Sequence, residues 1–221
     1  MSDKPYALRA VPGFHSTYPG IQIAAQTSHH ASDEDLQFFQ QLGIEWIMLG
    51  VEDPALQTVE HYRRFVERFA AYGIQIYRIS NRAVHNVPEI TLNLPGRDEK
   101  IEEFCQFIRN IGAAGVRYHT YAHMGNGIWS SGRTTRRGGM SARTLDIKNA
   151  TGRWGAETYE GELTHGREYS EDELWDNYEY MIRKVAPVAE EAGVFIGIHP
   201  DDPPVYALGG IPRCIFGNFA G

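Results

Sequence analysis

One unit recurs four times along this 221-residue chain: an amphipathic run, then a glycine, then the apolar start of a strand. "FFQQLGIEWIML" passes through Gly43 and Ile44, and "ERFAAYGIQIYRIS" through Gly73 and Ile74. "IRNIGAAGVRYHTY" passes through Gly115 and Val116, and "APVAEEAGVFIGIH" through Gly193 and Val194. A glycine just past a helix end takes the left-handed conformation that closes the last turn. The runs before it have helical spacing, as in Ile101, Phe104, Cys105, Ile108 and Ile111. A second set is Leu174, Tyr178, Met181, Ile182, Val185 and Val188, opened by the capping-box pair Ser170 and Glu173. With the early strand "IQIAAQT", the order is β-α-β-α-β-α-β-α-β, and helices alternating with short apolar strands mean parallel βαβ units.

Such units build an open doubly wound sheet or a closed barrel. "AAQTSHHASDE" after the first strand is no glycine-rich phosphate loop, which disfavours the dinucleotide-binding sheet. His29, His30, His85, His119, His123 and His199 fall at or after expected strand ends, and in a (β/α)8 barrel those ends form the rim where chemistry is done. The expected fold is therefore α/β, a parallel (β/α) barrel. A full barrel takes about 250 residues, whereas this chain spends about 125–168 on one long loop. About five βα units remain, so residues 1–221 read as a single domain, the N-terminal portion of an incomplete barrel. Open strand edges would then favour association of copies as a homo-oligomer.

The formal charge of −7, without basic clusters, argues against nucleic acid or an anionic membrane as partner. No stretch has the length of a membrane span, and "MSDKPYALRAVPGF" has no signal-peptide core. Two cysteines make no disulfide framework, and a reducing cytoplasm is the simplest setting. Cys105 lies on an apolar helix face, and Cys214 has no base beside it, so neither reads as a nucleophile.

Three stretches can carry chemistry. In "IGIHPDDPP" an apolar strand ends on His199, and the prolines that follow keep the chain from curling into a helix over it. A neutral imidazole there suits a divalent metal, with Asp201 or Asp202 orienting the ring or facing solvent; a packed histidine bonded to a carbonyl is the alternative. After the third strand, Arg82 can hold a substrate carboxylate and His85 can move a proton, unless the loop is solvated around one ion pair. In "HMGNGIWSSGRTTRRGGMSARTLD", Trp129 can wall a sugar-sized pocket and Arg133 can bind an acidic ligand. A loop that long is a functional lid or disordered.

"IHPDDPP" followed by "LGGIPR", and preceded by "ELWDNYEYMIRKVAPVAEEAGV", resembles the mannonate dehydratase family. So do "VHNVPEITLNLPGRDEKIEEFCQFIRNIGAAGV" and "ARTLD". That family is similar in fold to the xylose-isomerase-type barrels. The resemblance implies removal of water from D-mannonate, a small sugar acid, to give 2-keto-3-deoxy-D-gluconate in hexuronate breakdown. It also implies a divalent metal, Mn2+ or Fe2+, held by a histidine, a cysteine, a second histidine and an aspartate. His199 matches the first of these, Cys214 does not match the cysteine, and the other ligands would lie on strands beyond Gly221. Where family members carry a compact Trp-Thr-Arg-Thr segment, Trp129 and Arg133 are loose counterparts in the longer "GIWSSGRTTRRGGM". Related sugar isomerases or epimerases, and a non-catalytic fragment, are the competing expectations.

Overall fold

The computed structural model describes residues 22–213 and 215, so Cys214 and the N-terminal "MSDKPYALRAVPGF" lie outside the described residues. In chain order the main elements begin with β1 (Ala24–Ser28), α1 (Asp33–Gln41), β2 (Trp46–Gly50), α2 (Val59–Ala70) and β3 (Gln75–Ser80). A single turn, α3 (Pro88–Thr91), precedes α4 (Arg97–Ala113) and β4 (Tyr118–Tyr121). Five short strands follow: β5 (Ile128–Ser130), β6 (Gly132–Thr135), β7 (Ser141–Thr144), β8 (Thr151–Trp154) and β9 (Glu157–Tyr159). Then come α5 (Glu171–Glu191), β10 (Phe195–Ile198), β11 (Ala207–Leu208) and β12 (Ile211–Pro212).

The repeated glycine does what its position demands. Gly43, Gly73, Gly115 and Gly193 all have φ between 64° and 88°. After each, the next amide reaches back five residues to close the helix, as in Ile44 N–H to the Phe39 carbonyl (3.0 Å) and Val194 N–H to the Ala189 carbonyl (2.8 Å). Helix starts are equally explicit: Ser32 with Asp35 caps α1, and Ser170 with Glu173 caps α5, each as a reciprocal box.

Strands β1, β2, β3, β4 and β10 form one sheet in that order, every pair parallel. One core joins alternate residues of the sheet (Ile47, Leu49, Ile79, Tyr121) to Leu36 of α1, Tyr62 and Phe69 of α2, Phe104 and Ile108 of α4, and Val185 of α5. The intervening residues, such as Trp46, Met48, Ser80 and Thr120, are only half-buried. Helices covering one face of a parallel sheet are the arrangement of a barrel wall, whereas a doubly wound sheet carries helices on both. Cys105 is buried in this core, its thiol pushed up by burial.

α4 and α5 meet closely where they end. A Cβ on Gly112 would stand 2.6 Å from the Ala192 carbonyl oxygen and 3.0 Å from the Val194 side chain. Backbone cannot step aside cheaply, so Gly112→Ala should lower stability by about 1–2 kcal/mol, overpacking outweighing the gain in helix propensity. Urea unfolding checks this, and a variant as stable as the parent would mean the two helix ends separate freely.

The segment at about 125–168, expected as a long loop, is folded. β5, β8 and β9 make an antiparallel sheet, and β6 and β7 a hairpin. Trp129, Tyr159 and Leu208 give this insert its own small core.

Candidate functional site at the strand ends

The alternation that turns Ile196 and Ile198 of β10 onto the helix core places Phe195, Gly197 and His199 on the opposite, open face. His199 extends the ladder by one bond, its N–H donating to the Tyr121 carbonyl at 2.7 Å. Its side chain is exposed, and Nδ1 lies 2.6 Å from the Pro200 carbonyl oxygen. A carbonyl only accepts, so Nδ1 carries the proton and Nε2 keeps its lone pair.

The sequence offered Asp201 as the partner orienting that ring; the Pro200 carbonyl has that place instead. Asp201 is buried, and burial raises its carboxyl to about 7 against the pull of Arg213 and the Ile215 backbone. Arg213, itself buried, donates to the Asn126 side chain and the Gly127 carbonyl, both at 2.8 Å. The loop after His199 is thus pinned to the start of the insert. Asp202 pairs with Arg143 of β7 at 2.8 Å, which brings the hairpin against the same loop.

Across the rim, Gly50 and Ser80 are register partners, so Glu52 and Arg82, two residues on, meet beyond them. They form a forked ion pair, Nε to Oε1 at 2.5 Å and Nη2 to Oε2 at 2.9 Å, about half exposed. The pair fixes both side chains at the strand ends. Glu52 was passed over in the sequence, although an acidic residue just beyond a strand, in "LGVED", is the available signal.

His85 is not in an open polar loop. It is 3% exposed, with its ring 6.0 Å from Phe104 and 5.3 Å from both His119 and Trp154. Its Nδ1 accepts the Ala122 N–H at 3.2 Å. Burial first, then His119, drives its pKa well below the ordinary value. A proton carrier must reach its substrate, and this ring is sealed under the helix layer. His119 lies within β4 on the helix side, its Nδ1–H donated to the Ile79 carbonyl at 2.9 Å, its pKa lowered by burial to about 4. His123, also buried, is lowered to about 3 for the same reason.

Trp129 is 5% exposed and donates Nε1–H to the Asn126 backbone and side-chain oxygens, both at 3.1 Å; it is the insert's core and not an open wall. Arg133 is exposed on β6 and turned onto Ser141 of the facing strand at 2.8 Å. Another tryptophan, Trp154, missed in the sequence, straps the insert to the rim by donating to the Arg82 and His85 carbonyls at 2.9 and 3.1 Å.

The His199 tautomer fits a metal ligand, because a ring whose Nδ1–H is held by a carbonyl presents Nε2 in a fixed direction. Among the described residues no three His, Cys, Asp or Glu side chains gather to hold a metal, so His199 would stand as one ligand from this chain. Also among the described residues, no helix is long and apolar enough to cross a membrane.

A family model described as D-mannonate dehydratase (UxuA) matches residues 33–153 and 153–219. A mannonate dehydratase of Streptococcus pneumoniae (strain 70585) is 33% identical over 183 residues, which are 75% of this chain and 48% of that protein. The crystal structure of mannonate dehydratase from Streptococcus suis serotype 2 superposes with a TM-score of 0.69 at 27% identity, covering 89% of this chain and 58% of that one. A D-tagatose 3-epimerase-like protein, 11% identical with a TM-score of 0.50 over 82% of this chain and 55% of its own, shares the fold alone. The chain spans about half the length of the curated relatives it matches.

Proposed function

Because the chain belongs to the D-mannonate dehydratase family, we propose that it supplies a metal-binding histidine and part of the substrate rim for dehydration of a sugar acid. The reaction is removal of water from D-mannonate to give 2-keto-3-deoxy-D-gluconate, a step of hexuronate breakdown in the cytoplasm. The observation that carries this reading is His199: exposed, at the end of a parallel strand, on the face away from the helices, with Nδ1 engaged and Nε2 without a partner among the described residues.

Taking a proton from the carbon beside a carboxylate builds negative charge that water alone stabilises poorly. A divalent cation, Mn2+ or Fe2+, bound at His199 would supply Lewis-acid stabilisation of that charge, worth several kcal/mol. The chain's own residues do the placing. His199 gives an aimed nitrogen, and the loop after it is held by the buried Arg213 on Asn126 and Gly127 and by the Asp202–Arg143 pair. Arg82, steadied by Glu52, keeps its Nη1 for a ligand oxygen, and Glu52 can accept from a hydroxyl. Arg133 stands on the hairpin beside this loop as a cation for an acidic ligand, and Trp129 anchors the insert's own core beside Asn126. His85 belongs to the packing behind the rim. Association of copies as a homo-oligomer would cover the sheet edges at β1 and β10.

The test is to incubate this chain, or a longer polypeptide containing it, with D-mannonate and Mn2+ or Fe2+ and to follow release of a 2-keto acid. Release that stops on chelation supports the reading. A folded, metal-supplied longer polypeptide that releases none overturns it.

A further inference from the structure

Arg78 is a cation on the open face of the sheet without a counter-ion among the described residues. β2 and β3 pair as Ile47 with Ile76, then Met48 with Arg78, so Tyr77 is an extra residue, a bulge in β3. In an unbroken strand Ile76 and Arg78 would share a face. The bulge lets Ile76 and Ile79 both enter the helix core and turns Arg78 to the other side, with Met48. Bulges of this kind re-aim a side chain and recur beside active sites.

The guanidinium also leans toward the rim. Arg78 is the register partner of Tyr118, yet its Nη1 donates to the Thr120 hydroxyl, two residues further on, at 2.7 Å. Thr120 pairs with Gly197, and the next residue of β10 on that face is His199. Two residues of strand are roughly 7 Å, so the cation lies about one layer beneath the histidine. Its Nε is buried and has no hydrogen-bond partner, and no carboxylate lies within 4 Å of it among the described residues. None of the five parallel strands contains an Asp or Glu, and the rim's Glu52 is committed to Arg82. Burying a guanidinium edge without an anion is unfavourable unless something supplies one.

We propose that Arg78, steered by the Tyr77 bulge and braced by Thr120, is the floor cation that takes the carboxylate of the sugar acid, one layer below His199. This rests on the sugar-acid reading above and adds to it the residue that selects an acid over a neutral sugar. A charge-assisted bond to a fixed guanidinium should favour the acid by about 10- to 100-fold.

Calorimetric titration of the 221-residue chain with D-mannonate, and with D-mannitol as the same hydroxyl pattern without a carboxylate, tests this. The unchanged chain should prefer D-mannonate at least tenfold. Arg78→Gln should lose the preference, and Arg78→Lys should regain part of it. Thermal unfolding of each variant confirms that the fold survives. Arg78→Gln retaining the full preference would overturn the role of Arg78 and leave the sugar-acid reading standing. A parent chain that binds both ligands equally, or neither, would overturn the proposal itself. Release of 2-keto acid, measured separately, judges the dehydratase reading.

Discussion

In a polypeptide that contains this chain and carries the proposed activity, His199→Ala is expected to reduce dehydration of D-mannonate by roughly 10³-fold or more while leaving the fold intact. The activity loss follows from the size of what is removed. If the cation bound at this ring supplies about 4 kcal/mol to the transition state, each 1.36 kcal/mol lost is a factor of ten. The neighbours cannot substitute: Asp201 is turned into the protein, and Asp202 is held by Arg143. Stability should change by no more than about 0.5 kcal/mol, because the side chain is exposed and its one hydrogen bond among the described residues is to the adjacent residue. Turnover and manganese retention, measured beside urea unfolding, separate the two effects. Near-parental turnover with manganese bound would remove His199 from the site.

The glycine-punctuated repeat was legible because each copy carries its own signals, an apolar stripe, a helix-closing glycine and a β-branched start, and the chain obeys them locally. The position of His199 was legible for the same reason: a strand that must end at prolines leaves its last side chain at the rim. The insert was not, since strands of three or four residues are too short to show alternation against a polar, glycine-rich background. Histidines misled in a different way. An imidazole in a sequence advertises chemistry, yet His85 and His119 serve as rings packed against Phe104, each with one nitrogen satisfied by backbone. The bulge at Tyr77 was invisible because "QIYRIS" reads equally well as plain alternation, which puts Arg78 on the wrong face. Asp201 looked like a rim carboxylate beside a ligand, and only three-dimensional packing reveals that it is buried.

Acidification toward pH 5 should lower the stability of this chain before most carboxylates are protonated. His119 and His123 are buried and neutral, with pKa values lowered by burial to about 4 and about 3, and His85 is lowered too. In the unfolded chain each returns to about 6.5. Between those limits the unfolded state binds more protons, so the stability these rings contribute is complete above pH 6.5 and is lost as pH falls through the window toward 4. For His119 alone the loss is about 3 kcal/mol by pH 4, and His123 adds a similar amount. Asp201 opposes this, because a carboxyl raised to about 7 gains stability as pH falls from 7 toward 3.8. One carboxyl works against three buried rings, all three lowered by burial. At pH 5 His119 and His123 each give up about 2 kcal/mol and Asp201 returns between about 2 and 3, so with His85 shifted in the same direction as the other rings the net change is a modest loss of stability. Urea unfolding at pH 7.5, 6.0 and 5.0 should show the midpoint falling. In His123→Phe, which keeps an aromatic ring beside Tyr178 but cannot take a proton, the fall to pH 5 should be shallower by about 2 kcal/mol. A midpoint that holds steady or rises down to pH 5 would show that these rings are not buried as neutral groups.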